Sequence, residues 1–294
     1  LDQALKQLAA WDSLGHQLRV SVNIHPATLL EPQCPAWVAS ALDRHEVAPH
    51  RLVLELLEDY VADHQSRQWA FDELLALGVR IAQDDLGAGH SNIRRLTALA
   101  FDTVKIDHRV TAQIHTSPIP TLTFLAAMTT MGENMGWHVV AEGLEDAGIT
   151  EAATLTGIPY GQGYDIARPM PAEQVLGWIS ESTASGRQGR VQTFPGALAF
   201  HWQFARLTSP HPGPLENCPL TSFLATNEPA GNAMEWHRQQ HATTPNQSLT
   251  AAKLLQWLTQ KVTQQVPTAH PAGSSPGSGA AGHQQEFFVL PLDQ

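Results

Sequence analysis

The chain has 294 residues, of which 43% are hydrophobic and 15% are charged, and this balance is typical of a folded globular protein rather than a disordered one. Its formal net charge of −11 argues against binding to the backbone of polymeric nucleic acid. The sequence contains no apolar run of the roughly 18 residues that a membrane-spanning helix requires. Two cysteines, Cys34 and Cys218, are too few for a disulfide framework, which favours a reducing compartment such as the cytoplasm.

Six short β-rich runs predict strands, and segments of helical length separate them. The runs cover residues 18–23, 51–55, 79–85, 103–107, 138–142 and 160–164. Gly78 and Gly136 follow two of the helix-like segments, and we expect each to end its helix in a left-handed conformation. The alternation of strand and helix predicts an α/β fold with a parallel sheet that is covered on its faces.

A polar side chain lies at the C-terminal end of every predicted strand. These residues are Asn23, Glu55, Asp84 with Asp85, Lys105, Glu142 and Gln162. The C-terminal ends of parallel strands converge on one rim in a barrel, whereas an open sheet offers only a crevice. Any one of these residues alone could instead cap the following helix. Six in the same position favour a (β/α)8-type TIM barrel with its active site at the rim.

The number of strand–helix units is smaller than a complete barrel needs. Residues 1–17 precede the first predicted strand, and this segment is too short for two further strand–helix units. We therefore expect residues 1–182 to form a barrel that lacks its first two strands. Residue 1 already lies in a helix-like pattern, so the chain is interpreted as an excerpt of a longer protein.

The residues at the predicted rim suit a hard metal ion. The expected oxygen ligands are Asn23, Glu55, Asp84, Asp85 and Glu142. Such ligands suit Mg²⁺ or Mn²⁺ rather than Zn²⁺. We expect Gly87 to break the strand so that both aspartates reach the rim. With Lys105 as a fixed positive charge, the set fits two-metal hydrolysis of a phosphodiester, and a Mg²⁺-dependent barrel enzyme acting on a carbon acid is the alternative.

Five motifs in the sequence resemble those of a known protein family. They are Glu55-Leu56-Leu57-Glu58, Asp84-Asp85-Leu86-Gly87-Ala88-Gly89, Lys105-Ile106-Asp107, Ala141-Glu142-Gly143-Leu144-Glu145 and Gln162-Gly163-Tyr164. In this order they resemble the EAL domain, a family of bacterial phosphodiesterases that cleave cyclic di-GMP to linear pGpG. The resemblance covers about residues 1–181, and Arg168-Pro169-Met170-Pro171 is similar to the closing strand of the family.

The resemblance implies a role for each matching residue. The implied metal ligands are Asn23, Glu55, Asp84, Asp85 and Glu142, with Asp85 on the second metal. The implied catalytic residues are Lys105, which would hold the attacking water, Glu142 and Asp85. The residues implied around the site or its loops are Glu58, Asp107, Glu145 and Gln162. The loop after Asp84 and Asp85 is one that the family uses to form homodimers.

One departure from the family bears on activity. The glutamate of the motif that names the family belongs at the end of the second strand, and that segment is absent here. We therefore expect Mg²⁺- or Mn²⁺-dependent hydrolysis by the parent protein and little by this chain alone. The alternative is an inactive module that binds cyclic di-GMP and passes on a signal. The resemblance also implies upstream sensor or GGDEF-type domains, a bacterial cytoplasmic location and, through missing upstream regions, a membrane tether.

The C-terminal part of the sequence has a different character. Residues 190–266 predict a helical bundle, in which His201, Cys218, His237 and His241 form a set compatible with tetrahedral Zn²⁺. The region weakly resembles the chemoreceptor zinc-binding domain through Cys218-Pro219-Leu220-Thr221-Ser222-Phe223. A metal-free bundle is the alternative, because a chain with 15 histidines can place two of them four residues apart by chance. We expect residues 267–294 to form a flexible linker and tail.

Overall fold

The chain folds around one curled β-sheet. A computed structural model describes residues 1–57, 65–87, 96, 100–184, 191–206, 213–229, 231–242, 247–264 and 290–291. The strands of these residues are β1 (Val20–Asn23), β2 (Leu52–Leu57), β3 (Arg80–Leu86), β4 (Thr103–Ile106), β5 (His138–Ala141), β6 (Tyr160–Gly161) and β7 (Leu290–Pro291). They pair in chain order, and β1 to β6 are parallel. The predicted α/β fold with six parallel strands is confirmed, and the sheet curls into a half-barrel.

Helices cover the outer face of the half-barrel and continue beyond it. In the described residues they are α1 (Asp2–Ser13), α2 (Pro26–Leu30), α3 (Cys34–His45), α4 (Gln65–Ala76), α5 (His108–Thr111), α6 (Pro118–Met135), α7 (Ala147–Leu155), α8 (Ala172–Ala184), α9 (Phe194–Ala205), α10 (Pro219–Asn227), α11 (Asn232–His241) and α12 (Gln247–Gln264). Short 3₁₀ turns lie at Pro49–Arg51, Ala112–His115 and Leu215–Asn217. Across these described segments, no helix combines the length and the apolar character needed to cross a membrane.

Local sequence signals explain several helix boundaries. Gly78 and Gly136 have φ angles of 88° and 72°, so both adopt the predicted left-handed conformation after a helix. Asp146 caps α7 by accepting hydrogen bonds from the backbone N–H groups of Gly148 and Ile149.

The two sides of the sheet carry different side chains. Val22, Leu54 and Val104 face outward and are buried beneath the helices. Ser21 and Lys105 alternate with them and line a cavity of about 770 Å³ inside the curl. In the part of the chain that the structure describes, β1 pairs only with β2, so the sheet does not close on itself there.

Two hydrophobic clusters stabilise the molecule. One packs α1, α3 and α4 against the outer side of β1 and β2, with Leu5 and Leu74 fully buried. Val175 of α8 belongs to the same cluster and also lines the cavity inside the curl. The other begins at β4 and β5, passes through α6 and α7, and continues into α9 to α12, where Leu198 and Leu258 are fully buried. The C-terminal helices therefore share a continuous core with the half-barrel.

Three segments differ from the sequence expectation. The last parallel strand is only two residues long, because the chain turns at 163–166 instead of continuing to Tyr164. The stretch 168–171 is not a strand, and Pro169 and Pro171 have no N–H to donate to a neighbouring strand. Leu290–Pro291, which we assigned to the tail, pairs antiparallel with Tyr160–Gly161.

A partly buried carboxylate joins the half-barrel to the C-terminal helices. Glu151 of α7 accepts hydrogen bonds from the backbone N–H of Gln192 (2.7 Å), the backbone N–H of Thr193 (2.9 Å) and the Thr193 hydroxyl (2.6 Å). It thus satisfies donors at the N-terminus of α9, where a negative charge is also favoured by the helix dipole. A Cβ atom on Gly196 would overlap this carboxylate, so the contact is close.

We expect Glu151→Ala to lower the free energy of unfolding by about 1–3 kcal/mol, because three donors lose their acceptor. Urea denaturation followed by circular dichroism measures the change. Glu235→Ala, on an exposed part of α11, is the control and should shift stability by less than about 0.5 kcal/mol. Equal effects of the two substitutions would contradict this role for Glu151.

Candidate active site

A buried lysine of the half-barrel, Lys105, forms ion pairs with three carboxylates. The Nζ atom of Lys105 lies 2.9 Å from Glu55 Oε2, 3.2 Å from Asp84 Oδ1 and 2.6 Å from Glu142 Oε1. The Lys105 side chain is 3% exposed, and that of Glu55 is 1% exposed. Three carboxylates around one ammonium leave an excess of negative charge in a site with little water.

The strands determine which side chains meet here. Lys105 lies in β4, Glu55 and Asp84 lie in the neighbouring β2 and β3, and Glu142 directly follows β5. Because side chains alternate along a strand, Glu55 and Lys105 face the interior, and both line the cavity. Asn23 is the register partner of Glu55 in the parallel pair of β1 and β2, so it lies on the same face, where it is exposed.

Asp85 reaches the site through an irregularity in β3. The register of β3 with β4 shifts between Gln83 and Leu86, and Asp85 has a φ of 60°, in the left-handed region. This bulge breaks the alternation that would otherwise turn Asp85 away from Asp84. Ligand oxygens of Asp84, Asp85 and Glu142 consequently lie within 4.8 Å of one another. The adjacent Gly87 has a φ of 93°, consistent with the predicted strand break.

Asp107 places a second negative charge near Asp85. Its fully buried carboxylate accepts hydrogen bonds from the Arg109 backbone N–H (2.6 Å) and from the Arg109 guanidinium Nη2 (2.9 Å). Burial works to raise the pKa of Asp107, but the hydrogen bonds from Arg109 hold it below its ordinary value. For Asp85, burial raises the pKa, and the negative charges of Asp84 and Asp107 add to the effect.

The charges around Lys105 also shift its own pKa and that of Glu142. Burial works to lower the pKa of Lys105, but the charges of Glu55, Glu142 and Asp84 outweigh it and raise the pKa. Burial raises the pKa of Glu142 to about 7; the charge of Lys105 opposes this shift and that of Asp84 adds to it. Lys105 is therefore a permanent cation, whereas the proton on Glu142 is easily lost or gained near neutral pH.

The donor set fits a divalent cation. Glu55 Oε1 and Gln162 Oε1 are buried and have no hydrogen-bond partner among the described residues, which leaves lone pairs unsatisfied at a cost of about 1–3 kcal/mol each. Four carboxylates with one ammonium need additional positive charge, and oxygen ligands suit Mg²⁺ or Mn²⁺. Glu55, Asp84, Asp85 and Glu142 could hold such an ion.

The remaining residues from the sequence analysis are placed as follows. Gln162 lines the cavity beside Glu55 and Lys105. Glu145 is exposed in the loop after β5. Glu58 and most of the loop that follows Asp84 and Asp85 lie outside the described residues. Two further residues of the site carry no signal in the sequence: Arg109, which anchors Asp107, and Thr111, whose hydroxyl donates a hydrogen bond to the carbonyl oxygen of Glu142.

A second cluster of ligand-type residues lies among the C-terminal helices. Potential ligand atoms of Cys218, His237 and His241 lie within 4.8 Å of one another. The fourth predicted member, His201, is outside that group but lines the same cavity of about 180 Å³, and its Nε2 lies 2.9 Å from the carbonyl oxygen of Ala251. Burial, with the charges of His241 and His201, lowers the pKa of His237 to about 3, so its imidazole is neutral at pH 7.

Known proteins resemble the half-barrel. The sequence is 32% identical over 180 residues to the oxygen sensor protein DosP of Escherichia coli, covering 60% of this chain and 22% of DosP. It is 31% identical over 183 residues to MucR of Pseudomonas aeruginosa, a bifunctional diguanylate cyclase and cyclic di-GMP phosphodiesterase, covering 61% of this chain and 26% of MucR. The chain thus matches about a quarter of the length of these relatives.

Solved structures agree with the sequence matches. The PaMucR phosphodiesterase in complex with c-di-GMP aligns with a TM-score of 0.55 and 30% identity, covering 59% of this chain and 71% of that one. Klebsiella pneumoniae BlrP1 with manganese and cyclic di-GMP aligns with a TM-score of 0.51 and 27% identity, covering 55% and 42%. The family model for the EAL domain matches residues 1–169. The resemblance in the motifs is therefore confirmed, and the chain belongs to the EAL domain family.

Proposed function

We propose that the chain is a metal-dependent phosphodiesterase module that hydrolyses cyclic di-GMP to linear pGpG. The observation that carries the proposal is the cluster of Glu55, Asp84 and Glu142 around Lys105, with Asp85 beside it. The relatives support the choice of substrate, because MucR is named as a cyclic di-GMP phosphodiesterase and BlrP1 is described with manganese and cyclic di-GMP. An unrelated reaction on a carbon acid has no such support.

The residues of the site have separable tasks in this reaction. Asn23, Glu55, Asp84, Asp85 and Glu142 would hold Mg²⁺ or Mn²⁺. The bound ions would activate water and neutralise the charge that develops on the phosphate. Lys105 remains protonated because of its raised pKa, so it orients the oxygen of the attacking water through a donated hydrogen bond and does not act as a base. Asp107, held by Arg109, keeps a negative charge near Asp85 and so contributes to the raised pKa of Asp85.

The same cluster favours a second candidate function. Lys105 pairs with all three carboxylates, and these pairs occupy oxygens that a cation would use. A site stabilised in this way without metal is compatible with a module that binds cyclic di-GMP and does not hydrolyse it. Such a module would pass its signal to the C-terminal helices through their shared core.

One experiment distinguishes the two functions. The purified chain is incubated with cyclic di-GMP and Mn²⁺, products are separated by chromatography, and binding is measured in parallel by calorimetry. We expect linear pGpG to form only slowly with Mn²⁺, because the glutamate of the motif that names the family is absent from the chain, and not to form at all with a chelator. Binding without product would support the receptor, and neither binding nor product would exclude both functions.

The biological context follows from the substrate. We infer a bacterial cytoplasmic location, since cyclic di-GMP is an intracellular messenger and both cysteines are free thiols. We also infer that GGDEF-type or sensor domains accompany the module, as the bifunctional name of MucR supports. A membrane tether through upstream regions and a homodimer through the loop after Asp85 stay predictions.

We infer in addition that Cys218, His237 and His241 bind Zn²⁺. Two observations support this: the ligand atoms lie within 4.8 Å of one another, and His237 Nδ1 is buried without a hydrogen-bond partner in the part of the chain that the structure describes. The neutral imidazole of His237 is the form that a metal requires. His201 lines the same cavity and is the candidate fourth ligand.

Substitution with Co²⁺ tests this second metal site. We expect the chain to gain, on addition of Co²⁺, a thiolate-to-cobalt charge-transfer band that Cys218→Ser removes. Cys34→Ser is the matched control, since Cys34 is the other free cysteine and lies buried in α3. A band that survives Cys218→Ser, or that never forms, would leave the metal-free bundle as the correct description.

A further inference from the structure

A threonine outside the ligand set holds the backbone of one proposed ligand. Thr111 is fully buried at the end of α5, and its hydroxyl lies 2.6 Å from the carbonyl oxygen of Glu142 and 3.0 Å from that of His108. A hydroxyl has one proton to donate, and the shorter distance assigns it to Glu142. The contact joins residues 31 positions apart in the sequence.

The backbone N–H of Glu142 is fixed as well as its carbonyl group. The backbone N–H of Glu142 donates to the carbonyl oxygen of Ile106 at 3.0 Å, which extends the pairing of β4 and β5. Glu142 is thus bound through its N–H to β4 and through its carbonyl to α5. These two bonds set the direction in which its Cα–Cβ bond leaves the backbone.

The backbone directly after Glu142 packs closely against α5. Gly143 has a φ of 64°, and a Cβ atom there would lie 2.9 Å from the Cα of His108, so α5 packs directly against this peptide. Helix α5 is itself anchored, because Asp107 caps it through the Arg109 N–H and the following 3₁₀ turn buries Ile114. Thr111 is therefore held in place by α5 and the turn after it, and its position does not depend on the loop after Glu142.

We propose that Thr111 is a positioning residue that fixes the Glu142 backbone and so aims its carboxylate at the divalent cation. The inference rests on the proposed function, because it assumes that Glu142 is a metal ligand. Thr111 is fully buried and is not itself one of the proposed ligands. A valine at this position would keep the shape of the side chain but leave the Glu142 carbonyl without its donor.

The test compares Thr111→Val with Thr111→Ser, which keeps the hydroxyl. Mn²⁺ binding to the purified chain is measured by electron paramagnetic resonance of the free ion. We expect Thr111→Val to weaken Mn²⁺ binding by about 10- to 100-fold, as loss of supporting hydrogen bonds around metal ligands typically does. Thr111→Ser should restore it to within about threefold of the unmodified chain.

The control is Thr121→Val. Thr121 of α6 is also buried, and its hydroxyl donates to the carbonyl oxygen of Ser117, the N-cap residue of that helix, at 2.8 Å. A purely structural effect would lower thermal stability in both valine variants and leave Mn²⁺ affinity equal. Amide hydrogen exchange of residues 140–146 supplies a readout that needs no metal, and we expect Thr111→Val alone to accelerate it.

The outcomes separate the inference from the function on which it rests. Unchanged Mn²⁺ affinity and unchanged exchange in Thr111→Val, with metal bound by the unmodified chain, would overturn the role of Thr111 and leave the phosphodiesterase intact. If the chain binds no Mn²⁺ but Thr111→Val still accelerates the exchange, the metal-dependent function would be overturned. The hydrogen bond by which Thr111 fixes the Glu142 backbone would nevertheless be supported.

Discussion

Lys105→Met should lower the rate of cyclic di-GMP hydrolysis by about 100- to 1,000-fold, the usual cost of removing one charged or hydrogen-bonding group that acts in the transition state. It should also destabilise the metal-free chain by about 3–5 kcal/mol, because Glu55, Asp84 and Glu142 lose the cation that compensates them in a buried site. Steady-state kinetics and thermal denaturation measure the two effects.

Metal should reverse the loss of stability but not the loss of activity. Saturating Mn²⁺ supplies positive charge to the same carboxylates, so it should raise the melting temperature of Lys105→Met more than that of the unmodified chain. Lys253→Met, on an exposed turn of α12, is the control and should change neither quantity. A stable and active Lys105→Met variant would show that the lysine has no role in charge compensation or in catalysis.

Glu55→Gln should raise the Mn²⁺ concentration required for half-maximal hydrolysis by about 100-fold or more, since even the loss of a supporting residue costs 10- to 100-fold. Glutamine has the size of glutamate but lacks its charge. The substitution therefore removes the buried carboxylate whose Oε1 has no hydrogen-bond partner within the described segments, and it preserves the packing of β2. Hydrolysis measured across a Mn²⁺ titration gives the shift.

The matched control for Glu55→Gln is Glu73→Gln, which changes an exposed glutamate of α4 in the same way. Its Mn²⁺ dependence should equal that of the unmodified chain. If Glu55→Gln also leaves the Mn²⁺ dependence unchanged, Glu55 is not a ligand, and its contact with Lys105 is only a structural ion pair.

The parts of the site that follow from strand periodicity could be predicted from the sequence. Lys105 and Glu55 are close because they lie at the C-terminal ends of strands of one parallel sheet, and the strand order of such a sheet is strongly constrained. The meeting of Asp85 with Asp84 was also expected, but its cause differs: the sequence pattern indicates a strand break at Gly87, whereas β3 continues to Leu86 and a bulge at Asp85 brings the two carboxylates together.

Other features depend on how distant segments pack, and local patterns do not encode that. The hydrogen bond from Thr111 to Glu142 requires the path of α5, which periodicity over four residues cannot define. The pairing of Leu290 with Gly161 adds a strand from a segment whose composition predicts a linker. The helices α7 and α9 share one core. Their apolar side chains follow the same pattern as those of any core-facing helix, so the sequence does not indicate which helices pack together, and it suggested two separate regions.

Mn²⁺ binding by the unmodified chain and by Asp84→Asn tests the central claim most directly, because Asp84 contacts Lys105 and belongs to the group of carboxylates with Asp85 and Glu142. Asp43→Asn, an exposed residue of α3, serves as the control. We predict that the unmodified chain and Asp43→Asn bind Mn²⁺ equally well and that Asp84→Asn binds it at least about 100-fold more weakly. Equal binding by all three would contradict a metal site among these carboxylates.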